Sequence, residues 1–178
     1  MQDEESLVRR AQQRDQMALA QLYEENFDRI YRYIVLKIGE RTEAEDMTQQ
    51  VFLKAIQSIS SFKLKKGTPF SAWLYRIAHN QIVDYWRKKS RRATVPLDEA
   101  LADRDPEPEK ALEHKLDIEE LSLATRGLTK AQQEVIALRF TGEMNIAQVA
   151  RVMGKSEGAV KALQHSAIAS LRRALVTE

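Results

Sequence analysis

Asn145-Ile146-Ala147-Gln148-Val149-Ala150-Arg151-Val152-Met153-Gly154-Lys155-Ser156-Glu157-Gly158-Ala159-Val160-Lys161 is the stretch whose reading decides this fold. It reads as a short helix, a tight turn and a second helix. Val149, Ala150 and Met153 form the inward face of the first helix, with Ala150 small where two helices must cross closely. Gly154 falls at the turn, where the backbone often needs positive φ. Ser156 is a good N-cap for the second helix. Val160, Leu163, Ala167, Ile168 and Leu171 then recur at helical spacing and form its buried stripe. Small residue, turn glycine and cap fall in the register of a helix-turn-helix, whose second helix enters the DNA major groove. The plainer alternative is an ordinary helical hairpin.

Working outward, the outer face of that second helix carries Glu157, Gly158, Lys161, Ala162 and His165. Lys155 and Ser156 stand at its start, where backbone amides can meet a phosphate. Arg172 and Arg173 follow further along. Upstream, Thr129-Lys130-Ala131-Gln132 reads as a capping box opening a helix with Val135, Ile136, Leu138 and Phe140, closed by Gly142. Residues 116–125 are also expected to be helical.

The rest of the chain predicts an all-α protein of two small domains. Three of the four prolines, Pro96, Pro106 and Pro108, share one stretch with Asp103, Asp105, Glu107 and Glu109. That composition predicts an extended linker over 93–112, between domains over 5–92 and 113–178. Met17, Leu19, Leu22, Tyr23, Phe27, Ile30, Tyr31, Ile34 and Ile38 give one long helix that ends at Gly39. Thr42 to Glu45 reads as a capping box, followed by a helix with Met47, Val51, Phe52, Ala55 and Ile59. A basic loop with Lys63, Lys65 and Lys66 ends at Pro69. Phe70 to about Arg92 then forms a helix with Phe70, Trp73, Leu74, Ile77, Ala78 and Ile82 on its apolar side.

Charge follows this division. Residues 1–92 hold 17 cations against 12 anions, residues 93–120 hold 3 against 10, and residues 121–178 hold 8 against 4. Two basic blocks therefore flank an acidic connector, and basic blocks favour a polyanion. On the Phe70–Arg92 helix, Arg76, His79, Asn80, Val83, Asp84 and Arg87 lie three or four apart, opposite the apolar side. This is either a solvated face with cations at the favourable helix end or, beside the lysine loop, a surface for single-stranded DNA.

Other chemistries lack their residues. There is no cysteine, which excludes disulfides and thiolate zinc and fits a reducing cytoplasm. The three histidines, His79, His114 and His165, have no metal-ligand spacing, and no glycine-rich phosphate loop occurs. No apolar run matches a membrane span, and the acidic start Asp3-Glu4-Glu5 is unlike a secretory signal. No catalytic residue, cofactor, metal or small-molecule substrate is expected.

Glu43-Ala44-Glu45-Asp46-Met47-Thr48-Gln49-Gln50-Val51-Phe52-Leu53-Lys54-Ala55, then Phe70-Ser71-Ala72-Trp73-Leu74-Tyr75-Arg76-Ile77-Ala78-His79-Asn80, then Asp84-Tyr85-Trp86-Arg87-Lys88 resembles the first domain of bacterial sigma factors of the extracytoplasmic-function type. Leu128-Thr129 onward resembles their second domain. The resemblance implies a cytoplasmic factor that binds core RNA polymerase and promoter DNA and helps melt the −10 region. It implies polymerase contacts at Asp46, Gln49, Gln50 and Phe52. It implies −10 contacts at Lys63, Lys65, Lys66, Arg76, Asn80, Asp84 and Arg87, with one non-template base flipped into a pocket formed by the loop. It implies −35 contacts at Lys155, Ser156, Glu157, Gly158, Lys161, His165 and Arg172. The linker is expected to pass near the RNA exit path, its acidity mimicking nucleic acid. Ser166 stands where a basic residue is frequent, and Gln50 where glutamate is commoner. The opposed charges of connector and domains also raise the expectation that the linker, or an anti-sigma partner, masks these faces in the free state. A stand-alone helix-turn-helix regulator is the alternative function, although no coiled-coil heptad offers it a dimer interface. A protein-binding adaptor built from helical hairpins is a third, and it would need no basic faces.

Overall fold

The computed structural model describes residues 3–65, 68–92 and 122–176. The acidic connector 93–112, Lys66 and Gly67 lie outside the described residues. Apart from one isolated bridge between Lys65 and Thr68, the described chain is helices and loops.

Helix α1 (Glu4–Gln12) was not foreseen. Its acids lie in the first turn and Arg9 and Arg10 in the last, as the helix dipole favours. It buries Leu7, Val8 and Ala11. The Gln12 amide donates to the carbonyls of Ile59 (3.0 Å) and Phe62 (2.8 Å). Glu4 accepts from the backbone N–H of Phe70 at 3.2 Å, capping a helix far away in sequence.

α2 (Gln16–Ile38) starts at Asp15, whose carboxylate accepts from the N–H groups of Met17 and Ala18. It ends at Gly39, in the left-handed region at φ 75°. Two features of its expected apolar stripe change. Met17 is exposed, whereas Tyr33, one position off the expected series, is completely buried.

α3 (Arg41–Ser58) begins two residues earlier than the Thr42 box predicts. Glu40 is the cap, accepting from the N–H groups of Thr42 and Glu43. Met47, Val51, Phe52 and Ala55 face inward, and Ile59 follows in a short 3₁₀ turn. α4 (Phe70–Arg92) matches its predicted span.

Residues 122–125 form a helical turn. α5 (Lys130–Phe140) opens on the predicted Thr129/Gln132 capping box. α6 (Ile146–Met153) opens on a second one, Asn145/Gln148. Gly154, at φ 64°, makes the turn into α7 (Glu157–Val176). Phe140, at the end of α5, is 63% exposed. The closure expected at Gly142 falls one residue earlier, at Thr141. A Cβ on Gly142 would come within 2.6 Å of the Leu138 carbonyl and 3.1 Å of the Tyr75 ring, so close packing is what requires glycine here.

α2 is central and touches α1, α3, α4 and α5. α5, α6 and α7 pack on one another, with Leu128, Ile136 and Ala167 sealing their far side. The two halves predicted as separate domains are docked. α5 lies on α2, α6 lies on α4, and one apolar core runs from Leu7 through Leu74 to Val149 and Val160.

Candidate nucleic-acid interface

The recognition helix is held from behind. Ser156 Oγ accepts from the Ala159 N–H at 3.2 Å, as its cap position requires. Arg139 of α5 donates to Gln164 at 3.0 Å and to the Met144 carbonyl, fixing α7 and the entry to α6 together. Ser166 accepts from the side-chain amide of Gln132 at 2.9 Å. The position that departs from the family pattern thus ties α7 to the start of α5. With its back fixed, α7 leaves Lys155, Ser156, Glu157, Gly158, Lys161, His165 and Arg172 exposed. An open groove of about 590 Å³ runs beside it, lined by Ile146, Ile168 and Ala169 and edged by Lys161, His165 and Arg172. The structure therefore brings three of the predicted −35 residues around one concavity.

On α4, Arg76, Asn80, Asp84 and Arg87 are all exposed. Asp84 and Arg87 approach to 3.9 Å, an exposed pair worth little in stability. Lys63 and Lys65 are exposed on the neighbouring loop. Phe62 anchors that loop, packing on Trp73 at 4.9 Å between ring centroids and edge-on to Phe70 at 5.6 Å. Trp73 is accordingly part of the packed side. At the far end of α4, Lys89 lies over the rings of both Tyr85 and Trp86, and the Tyr85 hydroxyl donates to Glu43. Burial, then the Glu43 carboxylate, pushes the Tyr85 phenol above its ordinary range.

On α3, Asp46, Gln49 and Gln50 form an exposed stripe. Phe52 does not belong to it. It is 5% exposed, edge-on to Tyr23 at 4.8 Å and stacked near Phe27 at 6.2 Å. The fourth member by geometry is Leu53, an exposed apolar residue two helical turns after Asp46. The 46, 49, 50, 53 spacing was the available signal, since Phe52 already falls in the apolar series of Met47, Val51, Ala55 and Ile59.

His79 does not share the exposed side of α4. Its Nδ1 lies 3.3 Å from Glu134 of α5, which also accepts from the Tyr33 hydroxyl and the Lys37 ammonium. Burial by itself would raise the Glu134 carboxyl. His79, Lys37 and Tyr33 outweigh it and hold the group at about 2. Burial first, and then the Glu134 charge, pushes Tyr33 well above the ordinary phenol range.

Two basic helical units, one presenting a helix-turn-helix and the other a lysine loop beside an Arg/Asn helix face, define a bipartite DNA-binding protein. Residues 22–92 match the family described as Sigma-70 region 2, and residues 126–173 match Sigma-70, region 4. The chain is 39% identical over 171 residues to the ECF RNA polymerase sigma factor BldN of Streptomyces coelicolor, covering 95% of this chain and 64% of that one. It is 26% identical over 176 residues to the ECF RNA polymerase sigma factor SigK of Mycobacterium tuberculosis, covering 97% of this chain and 94% of that one. The fold is shared with CnrH, solved in complex with the cytosolic domain of CnrY (TM-score 0.74, 23% identity, 97% of this chain and 96% of that one). It is shared also with RpoE, solved in complex with the anti-sigma factor NepR from Bartonella quintana (TM-score 0.70, 22% identity, 89% and 97%). The chain belongs to the ECF sigma factors of the sigma-70 family. No helix among the described residues is long and apolar enough to cross a membrane.

Proposed function

We propose that this protein directs core RNA polymerase to promoters bearing paired −10 and −35 elements and helps open the −10 region. The observation that carries the reading is the pair of exposed, differently built polar faces on α4 and α7, each fixed from behind by its own half of the core. The α7 face, with Lys155, Ser156, Lys161, His165 and Arg172, suits duplex DNA in the major groove. Lys63, Lys65, Lys66, Arg76, Asn80, Asp84 and Arg87 suit a melted strand. Asp46, Gln49, Gln50 and Leu53 offer polymerase a mixed polar and apolar stripe, with Phe52 supporting it from beneath.

Each half by itself binds DNA weakly. Mounted on one polymerase, the two act as a linked pair with a high effective concentration at correctly spaced elements. Bond-making stays with the polymerase, the protein acts in the cytoplasm, and its regulator is an anti-sigma protein. That last point draws on the structural neighbours, both solved with a protein partner bound.

The test is promoter selection with run-off transcription, with and without core polymerase. Specific transcripts only when both proteins are present support the proposal. Specific DNA binding without polymerase, and no transcription with it, would assign a stand-alone regulator instead.

A further inference from the structure

Helix α1 reaches both ends of the lysine loop. At the near end, the Gln12 amide donates to the carbonyls of Ile59 at 3.0 Å and Phe62 at 2.8 Å. The Arg14 guanidinium, just past the helix, donates to the Ile56 carbonyl at 3.1 Å. α3 and its 3₁₀ turn end here, where helix carbonyls run out of intrahelical partners. At the far end, Glu4 accepts from the Phe70 N–H at 3.2 Å. The residue before Phe70 is Pro69, which has no side-chain acceptor with which to cap α4. Glu4 supplies that acceptor from another helix, and its negative charge suits a helix start.

These contacts add little to the core. Leu7, Val8 and Ala11 already bury the apolar side of α1, whereas Glu4 and Gln12 direct their polar ends to backbone groups that flank one loop. The span from Glu4 to Gln12 is about 12 Å along the helix axis, at about 1.5 Å per residue. α1 is thus a short rigid bar between the two ends of the loop. Within the loop, Phe62 packs on Phe70 and Trp73, and the Thr68 N–H donates to the Lys65 carbonyl at 3.0 Å. Lys63 and Lys65 stand exposed on that frame. α1 itself precedes residues 22–92, the span that matches Sigma-70 region 2. A loop held at both ends has fewer conformations to lose when a strand binds it, so less binding energy goes into ordering.

We infer that Gln12 and Glu4 are positioning residues that clasp the two ends of the lysine loop and fix its shape for the melted −10 strand. The clasp does not depend on the proposed function; its role in strand binding rests on that reading.

Amide hydrogen exchange of the full chain, read by NMR, follows the Phe62, Thr68 and Phe70 N–H groups directly. Gln12→Met keeps a side chain of similar length without donors, and Glu4→Ala removes the acceptor. Each should speed exchange at its end of the loop about fivefold or more and leave α7 unchanged. Glu4→Gln keeps an acceptor oxygen and should stay near the parent. Gln13→Ala, exposed beside Gln12, should change nothing. The same proteins, bound to core polymerase, are then titrated with a fork-junction DNA. It is duplex over −35 and single-stranded over the −10 non-template segment, with a sequence taken from the parent's selected promoters. Gln12→Met and Glu4→Ala should bind it about fivefold or more weakly at unchanged affinity for core, and Glu4→Gln should bind it like the parent. A loss of stability alone would not separate fork affinity from core affinity.

Faster loop exchange together with weaker fork binding supports the inference. Faster exchange with parent-like fork affinity overturns the positioning role. Unchanged exchange in both variants overturns the clasp, whatever the fork affinity. Glu4→Gln as weak as Glu4→Ala also overturns it, because the acceptor would not be what matters. If Gln12→Met loses helix by circular dichroism, Glu4→Ala, at the exposed start of α1, decides alone. A parent that yields no transcript with core polymerase removes the functional reading, and with it the role in strand binding; the exchange result then still decides the clasp.

Discussion

Phe52→Ala distinguishes a polymerase contact from a support for one. The ring is 5% exposed and sits against Tyr23 and Phe27. A phenyl side chain buries about 150–250 Å², worth about 4 kcal/mol or more at about 25 cal/mol per Å². Allowing for the methyl that alanine keeps and for the cavity left, the expected loss is about 3–5 kcal/mol. A small crevice lined by Leu19, Leu22, Tyr23, Ala55 and Phe70 already adjoins the ring, so collapse will recover little. Thermal unfolding followed by circular dichroism should show Tm falling by about 12 °C or more if the upstream half melts by itself, and by about half that if the docked halves melt together. Gln49→Ala, on the exposed stripe, should hold its stability within about 0.5 kcal/mol while weakening polymerase binding in a fluorescence titration. Phe52→Ala with unchanged Tm and lost polymerase affinity would refute the reasoning, because the ring would then be working from the surface.

Gly142→Ala should destabilise by about 1–3 kcal/mol in urea unfolding, since the new methyl meets the Leu138 carbonyl and the Tyr75 ring; a neutral result would mean that this turn shifts freely. Lys161→Ala should weaken binding to −35 duplex and, if Lys161 meets a phosphate, lower the slope of log K against log salt by about one; an unchanged slope removes that phosphate contact. For Glu134, the native carboxyl at about 2 lies below its ordinary 4.5, so the unfolded chain binds the proton more readily. Its stabilisation is therefore complete above about pH 4.5 and fades as pH falls toward 2. Urea midpoints measured across that window should drop more steeply for the parent than for Glu134→Gln, and parallel curves would count against the shift.

Local signals were readable where one residue type answers one backbone need. Gly154 in the left-handed region, Gly39 closing α2, the Thr129/Gln132 box and the Phe70–Arg92 span follow from conformational preference and period alone. The exposure of Arg76, Asn80, Asp84 and Arg87 on α4 and of Lys161, His165 and Arg172 on α7 was legible for the same reason, since they occupy the sides that the apolar stripes leave over. Reading failed where distant chain decided the outcome. Thr42 and Glu40 are both plausible caps in one acidic stretch, and α3 took the earlier one. α1 carries a short apolar set of Leu7, Val8 and Ala11 whose burial depends on α2 and on the 3₁₀ turn after α3. Phe140 keeps helical phase with the core yet points out, and Gly142 is small because Tyr75 lies across it.

The sequence by itself determined that the chain is helical, that it has two basic units around an acidic connector, and which residues open and close most of its helices. These depend on short-range sterics, capping and charge, which neighbours a few residues apart settle. Only the tertiary structure decided that the two halves dock, that Phe52 packs beneath the α3 stripe while Leu53 completes it, and that His79 turns from the exposed side of α4 to Glu134. Tyr33, Lys37, His79 and Glu134 are separated by up to 101 residues. A lone glutamate on a helix carries no mark of which remote donors will surround it.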